Sequence, residues 1–89
     1  MASYKIVWKN SARKELKRVD REVIPKILKA VEALAINPFP ADVKKISGSE
    51  HSYRIRIGDY RIVYNVASSL LIIEIIRVGH RKDVYNKLS

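Results

Sequence analysis

Twelve residues from Tyr53 to Tyr64, YRIRIGDYRIVY, leave this chain few folding options. Two runs rich in β-branched and aromatic residues flank Gly58-Asp59, a glycine-first dipeptide suited to the two-residue loop of a β-hairpin. With that loop the register follows: Ile57 faces Tyr60, Arg56 faces Arg61, Ile55 faces Ile62, Arg54 faces Val63 and Tyr53 faces Tyr64. Side chains alternate along a strand, so Tyr53, Ile55, Ile57, Tyr60, Ile62 and Tyr64 share one face and predict a buried surface. Arg54, Arg56 and Arg61 share the other. Two of these arginines stand directly opposite each other, where like charges destabilise a sheet. A solvated face of a basic protein is the bland explanation, but it gives no reason to cluster the charges. An anionic ligand does.

The charge of the whole chain points the same way. Eighteen lysines and arginines against nine acidic residues leave a formal charge of +9 on 89 residues. That excess suits polyanions: nucleic acid first, then an acidic protein or membrane surface. The length predicts a single domain, residues 1–89, with one modest core. The absence of cysteine excludes disulfides and thiolate metal sites and fits a reducing, cytoplasmic compartment. His51 and His80 are the only histidines, so no metal site or cofactor is expected. The longest apolar run, Leu70–Ile76, is broken by Glu74 and too short to span a bilayer.

Along the rest of the chain, Tyr4, Ile6 and Trp8 alternate with Lys5, Val7 and Lys9 and predict a strand over 3–8. Asn10 or Ser11 is positioned to cap a helix with Ala12, Leu16 and Val19 on its apolar stripe and Arg13, Lys14, Lys17 and Arg18 opposite. Asp20 ends that helix or caps the next. Ile24, Ile27, Leu28, Val31, Leu34 and Ala35 recur at helical spacing, with Pro25 requiring either a start near itself or a bent first turn. Asn37-Pro38-Phe39-Pro40 stops this helix. Residues 37–50 read as an irregular link docked through Phe39 and Ile46. After the hairpin, Ala67-Ser68-Ser69 marks a turn. Leu70–Val78, apolar on both sides, predicts a central or doubly covered strand. Gly79 allows a bend, and 80–88 suggests a short C-terminal helix. The order β-α-α-β-β-β-α predicts an α+β fold: a small, mostly antiparallel sheet with the N-terminal helical hairpin packed on one face.

A second cluster, VGHRKDVY over Val78–Tyr85, completes the picture. With a helix starting after Gly79, Arg81 and Tyr85 share a face, and a strand ending beside the hairpin delivers His80, Arg81 and Tyr85 to the rim of the arginine face. Fixed guanidiniums bind phosphate in bidentate fashion and stabilise charge developing on its oxygens. An aromatic ring stacks on an unpaired base. Set against this are plainer roles: His80 as a strand-end residue satisfying a backbone group, and Tyr85 as a helix residue packed on the core.

Taken together, YRIRIGDYRIVY and the VGHRKDVY that follows resemble the RelE/ParE superfamily of type II toxins, specifically its RelE branch, over nearly the whole chain. The resemblance implies a RelE-like fold and a metal-independent endoribonuclease that enters the ribosomal A site and cuts mRNA. The 2′-hydroxyl attacks the adjacent phosphate, leaving a 2′,3′-cyclic phosphate and a 5′-hydroxyl. It further implies a cognate acidic, RelB-like antitoxin as partner, with the ribosome and mRNA as targets and no membrane. By motif position, Arg61 would bind the scissile phosphate and Arg81 would stabilise the transition state or leaving oxygen. Tyr85, somewhat nearer that arginine than in the best-studied members, would stack on a base or assist proton transfer. Arg54 and Arg56 stand where those members have two lysines. Arginine effectively never gives up its proton, so both are electrostatic groups here. The general base is left among His80, favoured for its near-neutral pKa, Tyr85, and Glu50, an accessory candidate that precedes the first hairpin strand. Two other functions compete: a ParE-type toxin that binds DNA gyrase without nuclease activity, and a non-catalytic RNA-binding module.

Overall fold

The computed structural model describes residues 3–80, which form an α+β layer of two helices on one face of a five-stranded sheet. The strands are β1 (Lys5–Trp8), β2 (Lys44–Lys45), β3 (Ser52–Ile57), β4 (Tyr60–Ala67) and β5 (Ile72–His80), and the helices are α1 (Asn10–Leu16) and α2 (Ile24–Leu34). The sheet order is β1-β5-β4-β3-β2. All pairs are antiparallel except β1 with β5, which run parallel because the helical hairpin separates β1 from the meander.

The hairpin register is the one the sequence predicts, from Tyr53 opposite Tyr64 to Ile57 opposite Tyr60. Gly58 has φ +59°, and Asp59 stays at negative φ. Glycine at the first loop position alone is the pattern of a II′ turn, whose twist matches that of the flanking strands. The core forms where the apolar face of this hairpin meets the helices. Ala12, Val19, Ile27, Val31 and Leu34 come from the helical side, and Ile55, Ile62, Tyr64, Val66, Ile73, Ile75 and Val78 from the sheet. Tyr64 is fully buried and donates its hydroxyl to the Pro38 carbonyl at 2.7 Å, pinning the post-helical turn to the core. Burial, with a smaller contribution from neighbouring Tyr53, pushes the Tyr64 phenol above its ordinary range. Phe39 adds an edge-on contact to the Tyr53 ring at 5.0 Å.

Several local expectations need correction. The N-cap of α1 is Lys9, in extended conformation, with no side-chain cap; Asn10 is already helical. The helix stops at Leu16, and Val19 reaches the core from the following turn, held by the hydrogen bond its backbone N–H donates to the Leu16 carbonyl. Pro25 is accommodated because α2 starts at Ile24, placing the proline in the first turn where no intrahelical donor is needed. The link holds the two-residue strand β2. Leu70 and Leu71 lie in the turn before β5, Leu71 at φ 55°, with the Leu70 amide bonded to the Ala67 carbonyl.

Strand β5 is central, between β1 and β4, as its composition suggests. It runs on through Gly79 to His80 without a break, so Gly79 makes no bend and His80 is strand, not the first residue of a helix. The rest of the expected C-terminal helix lies outside the described residues. The pairing of β5 with β4 shifts at one point: Val63 meets Arg77, Tyr64 meets Ile75, and Ile76 is the extra residue of a β-bulge. The bulge reconciles Ile73 and Ile75 with Val78, which all face the core despite the odd spacing. At the same place Glu15 of α1 accepts the Val78 amide at 2.9 Å and Arg77 Nη2 at 3.2 Å, which ties the helix to β5. Neither described helix is long and apolar enough to cross a membrane.

Candidate functional site

The face of the sheet away from the helices carries the cations. Arg56 and Arg61 are directly opposite each other, and Arg54, two residues from Arg56, projects on the same side across from Val63. Arg56 is exposed, whereas Arg54 and Arg61 are half-buried. The Arg56 Nε donates to the Gly58 carbonyl at 3.1 Å, so the turn holds this guanidinium by one edge. On the other side of Arg61 stands Gly79, which puts no side chain beside it.

A fourth cation joins them. Strand β2 pairs with β3 so that Lys44 is opposite Arg54 and Lys45 opposite Tyr53. Lys44 therefore lies on the arginine face and Lys45 on the other. The four cations Lys44, Arg54, Arg56 and Arg61 line an open cleft of about 710 Å³, with Asp42 and Val43 at its edge. A larger depression, about 800 Å³, lies toward the other end of the sheet; its lining, which includes Val7, His51, Leu70, Ile72 and Glu74, holds no lysine or arginine. The chemistry of an anion site belongs to the first cleft. Lys44 was invisible to strand patterning because a two-residue strand has no period; the paired lysines at 44–45 were its only signal.

The other expected residues do not all converge. Glu50 is 90% exposed beyond the far end of β3, 3.9 Å from the His51 imidazole, and is not part of the cation cleft. His80 is the last residue of β5, opposite Tyr60, and its ring meets the Tyr60 ring edge-on at 5.7 Å. It borders a groove with Glu15, Arg18 and Val19, on the helical face of the sheet. Delivery of His80 to the rim of the arginine face is thus corrected: plain alternation from Ile75 puts residue 80 on the arginine side, and the bulge at Ile76 reverses it. Arg81 and Tyr85 lie outside the described residues.

The cleft presents one amine and three guanidiniums on a rigid ladder within side-chain reach of one another. Such an array neutralises the charge of a phosphodiester and stabilises additional negative charge on its oxygens. Among the described residues, it offers planar, bidentate recognition from three directions and proton exchange only from Lys44 or Asp42.

Comparison with known proteins agrees with this architecture. Residues 6–85 match the family model of the ParE toxin of type II toxin-antitoxin systems, parDE. The chain is 34% identical over 86 residues to toxin RelE3 of Methanocaldococcus jannaschii, covering 92% of this chain and 96% of that protein. Among solved structures, the archaeal RelE–RelB complex from Pyrococcus horikoshii superposes with a TM-score of 0.80 at 27% identity, covering 89% of this chain and 96% of that one. The RelB–RelE complex from Methanococcus jannaschii gives 0.77 at 30% identity, with 93% and 99% covered. By sequence, by fold and by the motifs that build its cationic face, this chain belongs to the RelE branch of the RelE/ParE superfamily of type II toxins.

Proposed function

We propose that the protein is a ribosome-dependent endoribonuclease that cuts mRNA in the A site and thereby halts translation in the cytoplasm. The observation that carries this reading is the opposition of Arg56 to Arg61, with Arg54 and Lys44 completing the cleft. Three or four fixed cations around one groove are costly to a sheet without a ligand and are what a strained phosphodiester requires. Arg61 binds the scissile phosphate, and Arg54 and Arg56 hold the flanking backbone. The 2′-hydroxyl attacks phosphorus, and the products are a 2′,3′-cyclic phosphate and a 5′-hydroxyl, with no metal involved. Motif position assigns Arg81 to the transition-state charge or the leaving oxygen, and Tyr85 to stacking on the substrate base or assisting proton transfer. His80, on the helical face, and Glu50, at the far end of β3, receive no part in proton transfer. The partner is an acidic, RelB-like antitoxin whose charge complements the +9 of this chain.

Primer extension on an mRNA translated in a reconstituted system tests the reading. Cuts within A-site codons are expected from the wild type, and Arg61→Ala should cut at least about 10²-fold more slowly, the loss typical of a removed oxyanion donor. A second reading is favoured by the description of the matching family model, that of a ParE toxin: poisoning of DNA gyrase. Intact mRNA together with inhibited supercoiling would establish it in place of the nuclease.

A further inference from the structure

Breaking the P–O5′ bond places an electron pair on an oxygen that leaves as a strongly basic alkoxide unless a proton is delivered to it. All cations that the hairpin supplies to the cleft are arginines, and a guanidinium holds its protons too tightly to be an effective donor. Asp42, the cleft's carboxylate, carries acceptors and no donor when ionised. Lys44 is different in kind. Its ammonium has three protons on a flexible stem and can release one.

We propose that Lys44 is the general acid of the cleavage reaction, protonating the 5′ oxygen as it departs. The inference deepens the nuclease reading and rests on it. Geometry supports the assignment. Lys44 sits on β2 and Arg61 on β4, with Arg54 and Arg56 on β3 between them. Two strand spacings and a two-residue offset separate their backbones by roughly 12 Å. Two long side chains span that gap from opposite sides of one phosphodiester, Arg61 on the non-bridging oxygens and Lys44 on the bridging one. The exposure of Lys44 leaves its amine free to regain a proton from water. In the balanced step, the 2′ oxygen forms its bond to phosphorus and its proton passes to water. The P–O5′ bond breaks, its electron pair stays on O5′, and the Lys44 ammonium supplies the proton that makes the 5′-hydroxyl. The neutral amine then takes a proton from solvent.

A plainer role for Lys44 is protection of an exposed sheet edge, a usual duty of edge lysines. Lys45, the other residue of β2, serves that purpose equally but faces away from the cleft. Arginine at position 44 would protect the edge and bind phosphate as well as lysine does; it would not release a proton.

The decisive experiment uses ribosomes programmed with a synthetic mRNA whose A-site codon carries either the normal phosphodiester or a sulfur in place of the bridging 5′ oxygen. A thiolate leaves without protonation. Lys44→Arg and Lys44→Ala should both cut the oxygen substrate about 10²-fold or more slowly than wild type, and both should approach the wild-type rate on the sulfur substrate. Thermal melts of each variant should match the wild type, because residue 44 is exposed on an edge strand. Wild-type cleavage with an undiminished Lys44→Arg rate, or a deficit of equal size on both substrates, overturns the role of Lys44 and leaves the nuclease reading standing. Absence of wild-type cleavage overturns the nuclease reading and this inference with it.

Discussion

Tyr64 shows how one side chain serves the fold twice. Its ring fills the core, and its hydroxyl satisfies a carbonyl of the turn that follows α2. Tyr64→Phe should destabilise the protein by about 1 kcal/mol in denaturant unfolding, the usual loss for one buried hydrogen bond. The pH dependence has a definite sign. Because burial raises the phenol above its unfolded value, the neutral form is favoured in the native state. Stability from this group is complete below about pH 10, where the unfolded tyrosine starts to ionise, and declines as pH rises beyond it. The difference in stability between wild type and Tyr64→Phe should therefore shrink above that pH, as followed by fluorescence-monitored unfolding. His80 makes a contrasting case. With its ring against Tyr60 on the helical face, His80→Gln should change the cleavage rate by no more than a few-fold. A loss of about 10²–10⁴-fold, that of a missing acid or base, would return it to the mechanism.

Among the elements, the hairpin was the most legible, because a glycine-led two-residue loop leaves one register that gathers its tyrosines and isoleucines on one face. Its glycine is required for backbone reasons alone: φ is +59°, and a Cβ at Gly58 would meet nothing within 4 Å. Gly58→Ala should cost about 1–2 kcal/mol, the penalty of a left-handed residue, and Gly58→Asn less, since asparagine tolerates that region. Thermal unfolding of the pair checks the order. The strand β5 was legible only in part. Its composition announced a central strand, but nothing in IIEIIRVGH marks Ile76 as an inserted residue. Only the pairing with β4, together with Glu15 bonding to Arg77 and Val78, shows where the ladder shifts. Replacing Glu15 by alanine leaves the Val78 amide without its acceptor and should destabilise by about 1–3 kcal/mol. Because Gly79 of β5 pairs with Arg61, cleavage should lose heat tolerance in parallel.

For the molecule as a whole, the two faces of the sheet divide the labour. The helical face holds the core, and the open face concentrates four of the chain's eighteen basic residues around one cleft. Binding of a single-stranded RNA should be strongly salt-dependent: four neutralised phosphates give a slope of log K against log salt of about −3. Lys44→Ala should reduce that slope by about 0.7, and Lys44→Arg should leave it intact. Fluorescence anisotropy with a short labelled RNA across a salt series measures both.

From the amino-acid sequence alone came the hairpin and its register, the two helices, the central strand and the clustering of three arginines. All of these follow from local periodicity and turn chemistry, which a linear chain carries in full. The tertiary structure alone decided which residues meet from distant positions. It brought Lys44 beside Arg54 through a strand too short to have a pattern, and turned His80 away from the arginines through one inserted residue. Side-chain alternation has a period of two, so a single bulge inverts every assignment beyond it, and only the partner strand records where that happens.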